Sequence, residues 1–372
     1  MSESLKLIHI LTSNRWGGIQ RYALDICSHF HHKGWGVCAI TRGAKAIDDL
    51  FEKDGIPLLN APLEGMLDFS SIRLLTHTLS GSRSQVIIHA HGFRNALTAI
   101  AAKKISGNKD VRIIVTRHKV RRGADSWLFR KVYRNIDAIV FVSRTARDRF
   151  IETWYKRKLP FPASKMHVVH NSINFETPEY TSPPETGPLT AMFHGPLIPG
   201  KGLETLIDAL SLLKGRRIRL RIVGSGLPDY VDRIRRRAIS RGVMELIDWH
   251  KHTDNPLSLI MQSDFGVLPS IEEEAFGLAN IEYMAMGRPQ ICSSNGAQPE
   301  YITDGREGFL IPPGNSFFLA ETIKKLASDP ELRKRMGRRA FETFHERLAW
   351  NDFIKKLSRI YEGTDETQSP VT

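Results

Sequence analysis

Cysteine is scarce in this 372-residue chain. The three present, Cys27, Cys38 and Cys292, stand at no metal-ligand spacing and cannot all pair. That excludes a disulfide-stapled scaffold and a cysteine-based zinc site, and it fits a reducing, cytoplasmic setting. No apolar run approaches the length of about 18 residues that a membrane-spanning helix needs. The opening MSESLKLIHILTS has Glu3 but neither a cationic start nor a small-residue cleavage site, so no signal peptide is expected. The Walker spacing GxxxxGK[ST] is missing as well. Gly202 follows Lys201 where Ser or Thr would bind magnesium, which argues against a P-loop NTPase.

What is present describes a soluble globular protein, with 41 % apolar and 25 % charged residues. The length suggests two domains. The net charge of +13 is unevenly spread: residues 101–158 hold 17 Lys and Arg against 5 Asp and Glu. Such a run is either a solvated helical surface or a face that meets something anionic, a phosphate-bearing acceptor or an acidic membrane leaflet. Trp127, Phe129 and Tyr133 interleave with the basic residues, but no nucleic-acid motif accompanies them, and no nucleic-acid partner is expected.

Short β-rich runs alternate with helical patterns along the chain. LKLIHILT, WGVCAIT, Ile56–Asn60, QVIIHAH, RIIVTRH, DAIVFVS and MHVVHNSI form one series, with an amphipathic helix expected over Ile19–Lys33. The stretch from Glu176 to Pro188 is rich in Pro, Thr and Glu, lacks an apolar period, and reads as a hinge linker. The pattern then restarts with LTAMFHG, IRLRIVG, a strand-like MELIDW, DFGVLPS, RPQICSS and GFLIPPG. Continuous apolar strands between helices predict parallel sheets covered on both faces, and two such series predict two Rossmann-like α/β domains facing across a cleft. The boundaries expected are 1–176 with a returning helix at about 346–362, then 177–345. An unstructured tail is expected at 363–372.

Three segments carry candidate chemistry. Gly17-Gly18 follows the first strand and opens a helix, which permits close backbone approach and offers N–H groups to phosphate; a packing role explains such a turn equally well. His194 to Gly202, HGPLIPGKG, makes the matching loop in the second half, where Lys201 beside glycines can neutralise a diphosphate. In SIEEEAFGLANIEYMAMGRP, Glu274 precedes Phe276-Gly277 at a helix entrance. Glu282 follows about a turn and a half inside the helix, so two acceptors could hold hydroxyls of two sugars. The plainer reading makes Glu274 a cap and Glu282 a surface residue.

The stretch from Asp264 to Gly314 resembles glycosyltransferase family 4. The pattern is carried by Pro269-Ser270, Glu274-Ala275-Phe276-Gly277, Glu282, Met284-Ala285-Met286-Gly287-Arg288-Pro289, Gly296 to Glu300, Asp304-Gly305 and Gly308-Phe309-Leu310. Gly17-Gly18, Gly195, Lys201-Gly202 and Gly224-Ser225-Gly226 extend the likeness over nearly the whole chain. The resemblance implies the GT-B fold and a retaining transferase that needs no metal and no cofactor beyond a nucleotide-diphosphate-sugar co-substrate. Its acceptor would be glycan or lipid-linked, in cell-envelope polysaccharide or lipopolysaccharide synthesis. Peripheral contact with the inner face of the membrane would go through the basic segment. By position, Lys201 meets the diphosphate, Glu274 the transferred sugar and Glu282 the ribose. Gly17, Gly18, Gly195, Gly224, Phe276, Gly277 and the backbone of Leu278 and Ala279 complete the donor site.

His118 closes RIIVTRH in the manner of the family's Thr-x-His, and His91 closes QVIIHAH; both are candidate catalytic residues beside Glu274 and Lys201. His89 is assigned to the opposite face of its strand and set aside. Three departures stand out. Pro196 occupies the place of the usual arginine, Gly200 that of the usual glutamate, and Ala297 that of a glycine. Other GT-B enzymes, an epimerase or a phosphorylase-like transferase, and an inactive nucleotide- or carbohydrate-binding protein remain as alternatives.

Overall fold

The computed structural model describes residues 5–65, 67–82, 84–175, 178–184, 188–215, 217–251, 253 and 255–364. The chain divides into two compact units, Met1–Asn171 with Asn351–Thr372, and Ser172–Trp350.

The first unit is a seven-stranded parallel sheet: β1 (Leu5–Ile10), β2 (Gly36–Thr41), β3 (Leu58–Asn60), β4 (Val86–Ala90), β5 (Val111–Arg117), β6 (Ala138–Phe141) and β7 (Met166–Val168). The strand order is β3-β2-β1-β4-β5-β6-β7. Every residue of β4 is buried, as a strand covered by helices on both faces requires. The helix Trp350–Glu362 belongs to this unit from Asn351 onward. Phe353 packs edge-on against Tyr22, and the Ile360 carbonyl accepts from Arg112.

The second unit repeats the plan in six parallel strands: β8 (Leu189–His194), β9 (Ile218–Val223), β10 (Ile247–His250), β11 (Phe265–Leu268), β12 (Gln290–Ser293) and β13 (Gly308–Ile311). Their order is β10-β9-β8-β11-β12-β13. In both sheets the order reverses beside the first strand, between β1 and β4 and between β8 and β11. In doubly wound sheets the crevice outside the carboxyl ends of the strands at this switch point is where ligands bind. Each unit is therefore a Rossmann-like α/β domain.

Two local expectations change. The strand-like MELIDW begins as a 3-10 turn at Met244–Leu246, and only Ile247–His250 pairs in the sheet. The segment read as a hinge is in part anchored. Tyr180 donates to the Lys334 carbonyl and packs on Phe341 and Arg338, while the Thr181 carbonyl accepts from the buried Arg288. One aromatic ring and one backbone acceptor suffice to hold a stretch that has no apolar period. Residues 176, 177 and 185–187 of that segment, and 365–372 of the expected tail, lie outside the described residues.

Candidate active site

In the second unit, the loops after β8 and β11 are clamped together by their backbones. The Gly200 carbonyl accepts from the N–H groups of Ile271 and Glu272. Gly202 has φ 75, and a Cβ there would lie 1.8 Å from the Pro269 carbonyl oxygen, so only glycine fits. This clamp brings Lys201 to Glu274 across 73 residues of sequence. The ammonium donates to Glu274 Oε1, which also accepts from Ser270 Oγ at 2.6 Å. The Glu274 backbone is fixed in turn, because its carbonyl accepts from Ala297 N–H and a Cβ on Gly296 would collide with it.

Glu282 lies in the helix Leu278–Ala285, which opens after Gly277 in the left-handed conformation (φ 85). Its Oε2 is 2.5 Å from His194 Nε2, and Oε1 has no partner among the described residues. His194 Nδ1 is 3.0 Å from the Tyr283 hydroxyl, which donates its proton to the Met192 carbonyl at 2.8 Å. The hydroxyl therefore accepts from His194 Nδ1–H, and the contact between Nε2 and Glu282 Oε2 holds a second proton shared by the two groups. The helix start leaves the N–H groups of Leu278 and Ala279 without intrahelical acceptors.

Not every expected donor-site residue turns a side chain toward solvent. Phe276 is buried against Tyr301, whose hydroxyl donates to the Phe276 carbonyl, so this residue serves the core. At Gly224 a Cβ would lie 2.0 Å from the Gly195 carbonyl oxygen, a packing constraint between loops. Gly195 differs. Its φ of 140 needs glycine, yet a Cβ there would meet nothing within 4 Å, which leaves open space beside its backbone.

In the first unit Gly17 caps the helix Gly18–His32 with extended backbone (φ 178), and a Cβ there would make only an ordinary contact. Sterics do not demand glycine at that position. Beside it four histidines gather at the carboxyl ends of β1, β4 and β5. His9 Nδ1 is 3.0 Å from His91 Nε2, and His91 Nδ1 is 3.0 Å from His118 Nε2. His89 is not on the opposite face. Residues two apart in a strand share a face, and its ring stacks on His91 with centroids 4.8 Å apart. It is held between the Tyr361 hydroxyl and Thr116 Oγ1, each at 2.6 Å. Burial, more than the neighbouring imidazoles, holds His9, His89 and His91 well below the ordinary histidine range. His118 is half-buried as a residue, and burial of its ring, and then Arg117, push it down to about 3. All four are neutral near pH 7.

The sequence model of Glycosyltransferase Family 4 matches residues 16–177, and that of Glycosyl transferases group 1 matches residues 179–343. The chain belongs to glycosyltransferase family 4. An uncharacterized glycosyltransferase of Methanocaldococcus jannaschii is 30 % identical over 173 residues, 46 % of this chain and 47 % of that protein. The chain spans about half the length of the curated relatives it matches. A glycosyltransferase from Rickettsia africae shares the fold with TM-score 0.84 at 22 % identity, over 97 % of this chain and 98 % of that one. Anabaena HepE, solved with UDP and glucose, follows at TM-score 0.81 and 18 % identity, over 96 % and 99 %.

Within this glycosyltransferase framework, motif spacing names Ser270 without its contact to Glu274, and it misses the roles of His194 and Tyr283 in the second unit and of His9, Thr116, Tyr22 and Tyr361 in the first. The signal available for the histidines was their recurrence at the ends of three apolar strands.

Proposed function

We propose that the protein transfers a sugar, with retention of configuration, from a nucleotide-diphosphate donor to a glycan or lipid-linked acceptor. The observation that carries this reading is the Lys201–Glu274–Ser270 cluster at the β8/β11 switch point. Lys201 would neutralise the diphosphate while Glu274 accepts hydroxyls of the transferred sugar. The two side chains are 27 % and 18 % exposed, so a ligand that takes over their contacts must replace both the charge and the hydrogen bonds. Glu282 Oε1 would accept a ribose hydroxyl, and the amides of Leu278 and Ala279 would hold phosphate oxygens. Gly17-Gly18 would bring first-unit amides to the donor, and His118 would hydrogen-bond the sugar near its anomeric carbon, with His91 behind it.

The chemistry asks for stabilisation of charge as the nucleotide leaves. Lys201 and the helix-start amides supply it without a bound metal, and the leaving phosphate oxygen takes the proton of the attacking acceptor hydroxyl. An acidic membrane surface is a suitable partner for the basic first-unit segment, in which Trp127 and Tyr155 are each 75 % exposed.

Glu274→Ala tests the assignment. Nucleotide release from the accepted member of a UDP- and GDP-sugar panel should fall about 100-fold or more, with the circular dichroism spectrum unchanged. Unchanged turnover in the folded variant would refute the role of Glu274. Pro196, standing where the family pattern has arginine, favours a second reading: a nucleotide- or carbohydrate-binding protein without turnover. Calorimetry that shows donor binding, together with no product across acceptors, would select it.

A further inference from the structure

We propose that His9 and His91 are positioning residues that fix the tautomer of His118, so that its outward nitrogen is an Nδ1–H donor and not a lone pair. The identity of the ligand oxygen this donor meets, on a sugar, rests on the proposed function; the tautomer does not.

A neutral imidazole has one N–H and one lone pair, and each of the two nitrogen–nitrogen contacts in the chain His9–His91–His118 must use one of each. Setting one ring therefore sets all three. In the first arrangement the protons sit on Nδ1 of His9, His91 and His118. In the second they sit on Nε2 of all three. The two differ at the buried end. His9 is fully buried, and its Nε2 has no hydrogen-bond partner among the described residues. The first arrangement leaves a lone pair there, whereas the second leaves an orphaned N–H. Buried N–H groups without acceptors are the rarer defect in native proteins, so the first arrangement is favoured. At the other end His118 Nδ1, which has no partner among the described residues, then carries the proton.

The surroundings hold the rings in place. His89, locked between Tyr361 and Thr116, packs against His9 and His91 with centroids 4.7 and 4.8 Å away, and Tyr22 stands edge-on to His118 at 4.9 Å. Protonating a ring would break the one-donor, one-lone-pair chain, and burial disfavours it at each site. The nitrogens face one another in pairs and do not converge on a common point. Among the described residues no group of three ligating side chains could hold a metal. A donor fixed in this way hydrogen-bonds an oxygen lone pair of a sugar and cannot take a proton from an acceptor hydroxyl, a division of labour that leaves proton removal to the departing phosphate.

The test is a long-range proton–nitrogen correlation spectrum of the 15N-labelled full chain near pH 7, without nucleotide. The expected spectrum shows His118 with a pyrrole-like Nδ1 and a pyridine-like Nε2. The reverse assignment overturns the proposal without need of any variant. In His91→Phe the link to His118 is cut, and its tautomer should move toward the Nε2–H form that free histidine favours. An unchanged His118 tautomer in that folded variant also overturns it. Where transfer is measurable, His91→Phe should lower kcat/KM about 10-fold while UDP affinity holds, whereas general disruption would lower both. Because the spectrum needs no substrate, failure of the glycosyl-transfer reading would appear as absent turnover with the tautomer pattern intact.

Discussion

At the carboxyl edge of the first sheet, polar groups are kept neutral by burial. Three imidazoles share hydrogen bonds in a chain, and a fourth, His89, bonds Tyr361 and Thr116 beside it, with no carboxylate among these partners. At the same edge of the second sheet, Lys201 and Glu274 meet as a largely buried ion pair with Ser270 alongside. The strand orders are alike, yet the two ends suit different partners: directed hydrogen bonds without net charge in one unit, and exchangeable charge in the other. A shared topology fixes where chemistry sits, and the residues at the strand ends decide its kind.

The contrast also runs through the glycines, and this gives the largest expected effect. Gly202→Ala should destabilise the protein by about 3 kcal/mol or more, because a Cβ at 1.8 Å from the Pro269 carbonyl oxygen forces the two loops apart. Gly17→Ala, whose Cβ meets only Gln20 Oε1 at 3.6 Å, should change stability by less than about 0.5 kcal/mol but weaken nucleotide-sugar binding. Urea unfolding of both variants checks the pair. Equal stability loss would erase the distinction between a packing glycine and a ligand glycine.

A second effect belongs to the first unit. His9 and His89 are neutral when folded but take protons when unfolded near their ordinary value of 6.5. Their folded values are depressed, so the unfolded state binds more protons as the pH falls. The stability they contribute is complete above about pH 6.5 and is lost below it, at about 1.4 kcal/mol per pH unit for each ring. Denaturation midpoints between pH 7 and 5 should show this slope, and it should lessen in His9→Phe. A flat profile would mean that the rings are not neutral in the fold. A further effect on stability, larger than that of Gly17→Ala, is expected for Tyr361→Phe. It unpairs His89 Nδ1 in a buried setting and should cost about 1–2 kcal/mol in thermal or chemical unfolding.

Much of the second site was legible because its residues lie in one segment. Pro269-Ser270, the seven-residue interval from Glu274 to Glu282 and the glycine at the helix mouth read directly as strand, loop and helix. Lys201 was legible as a loop cation, and the Gly200 and Gly202 clamp explains why it reaches Glu274. The histidine cluster was not legible as a unit, since it depends on β1 and β4 lying side by side with His9 opposite His89, and sequence order does not announce that pairing. The face assigned to His89 failed for a simpler reason: strand residues two apart point the same way. His194 was hidden inside a loop motif, and only the fold brings it to Glu282, 88 positions away. Arg288 and Phe276, both within the family pattern, proved to serve packing. Arg288 is buried and donates to the carbonyls of Thr181, Met261 and Met286.

The central claim, that Lys201 beside Glu274 receives a pyrophosphate, is tested most directly by calorimetry with UDP, GDP and their monophosphates on the wild-type chain and on Lys201→Ala. One of the two diphosphates should bind more tightly than its monophosphate, and that preference should shrink about 10-fold in the variant. If diphosphate and monophosphate bind alike in the wild type, or if Lys201→Ala leaves the preference intact, the account is contradicted.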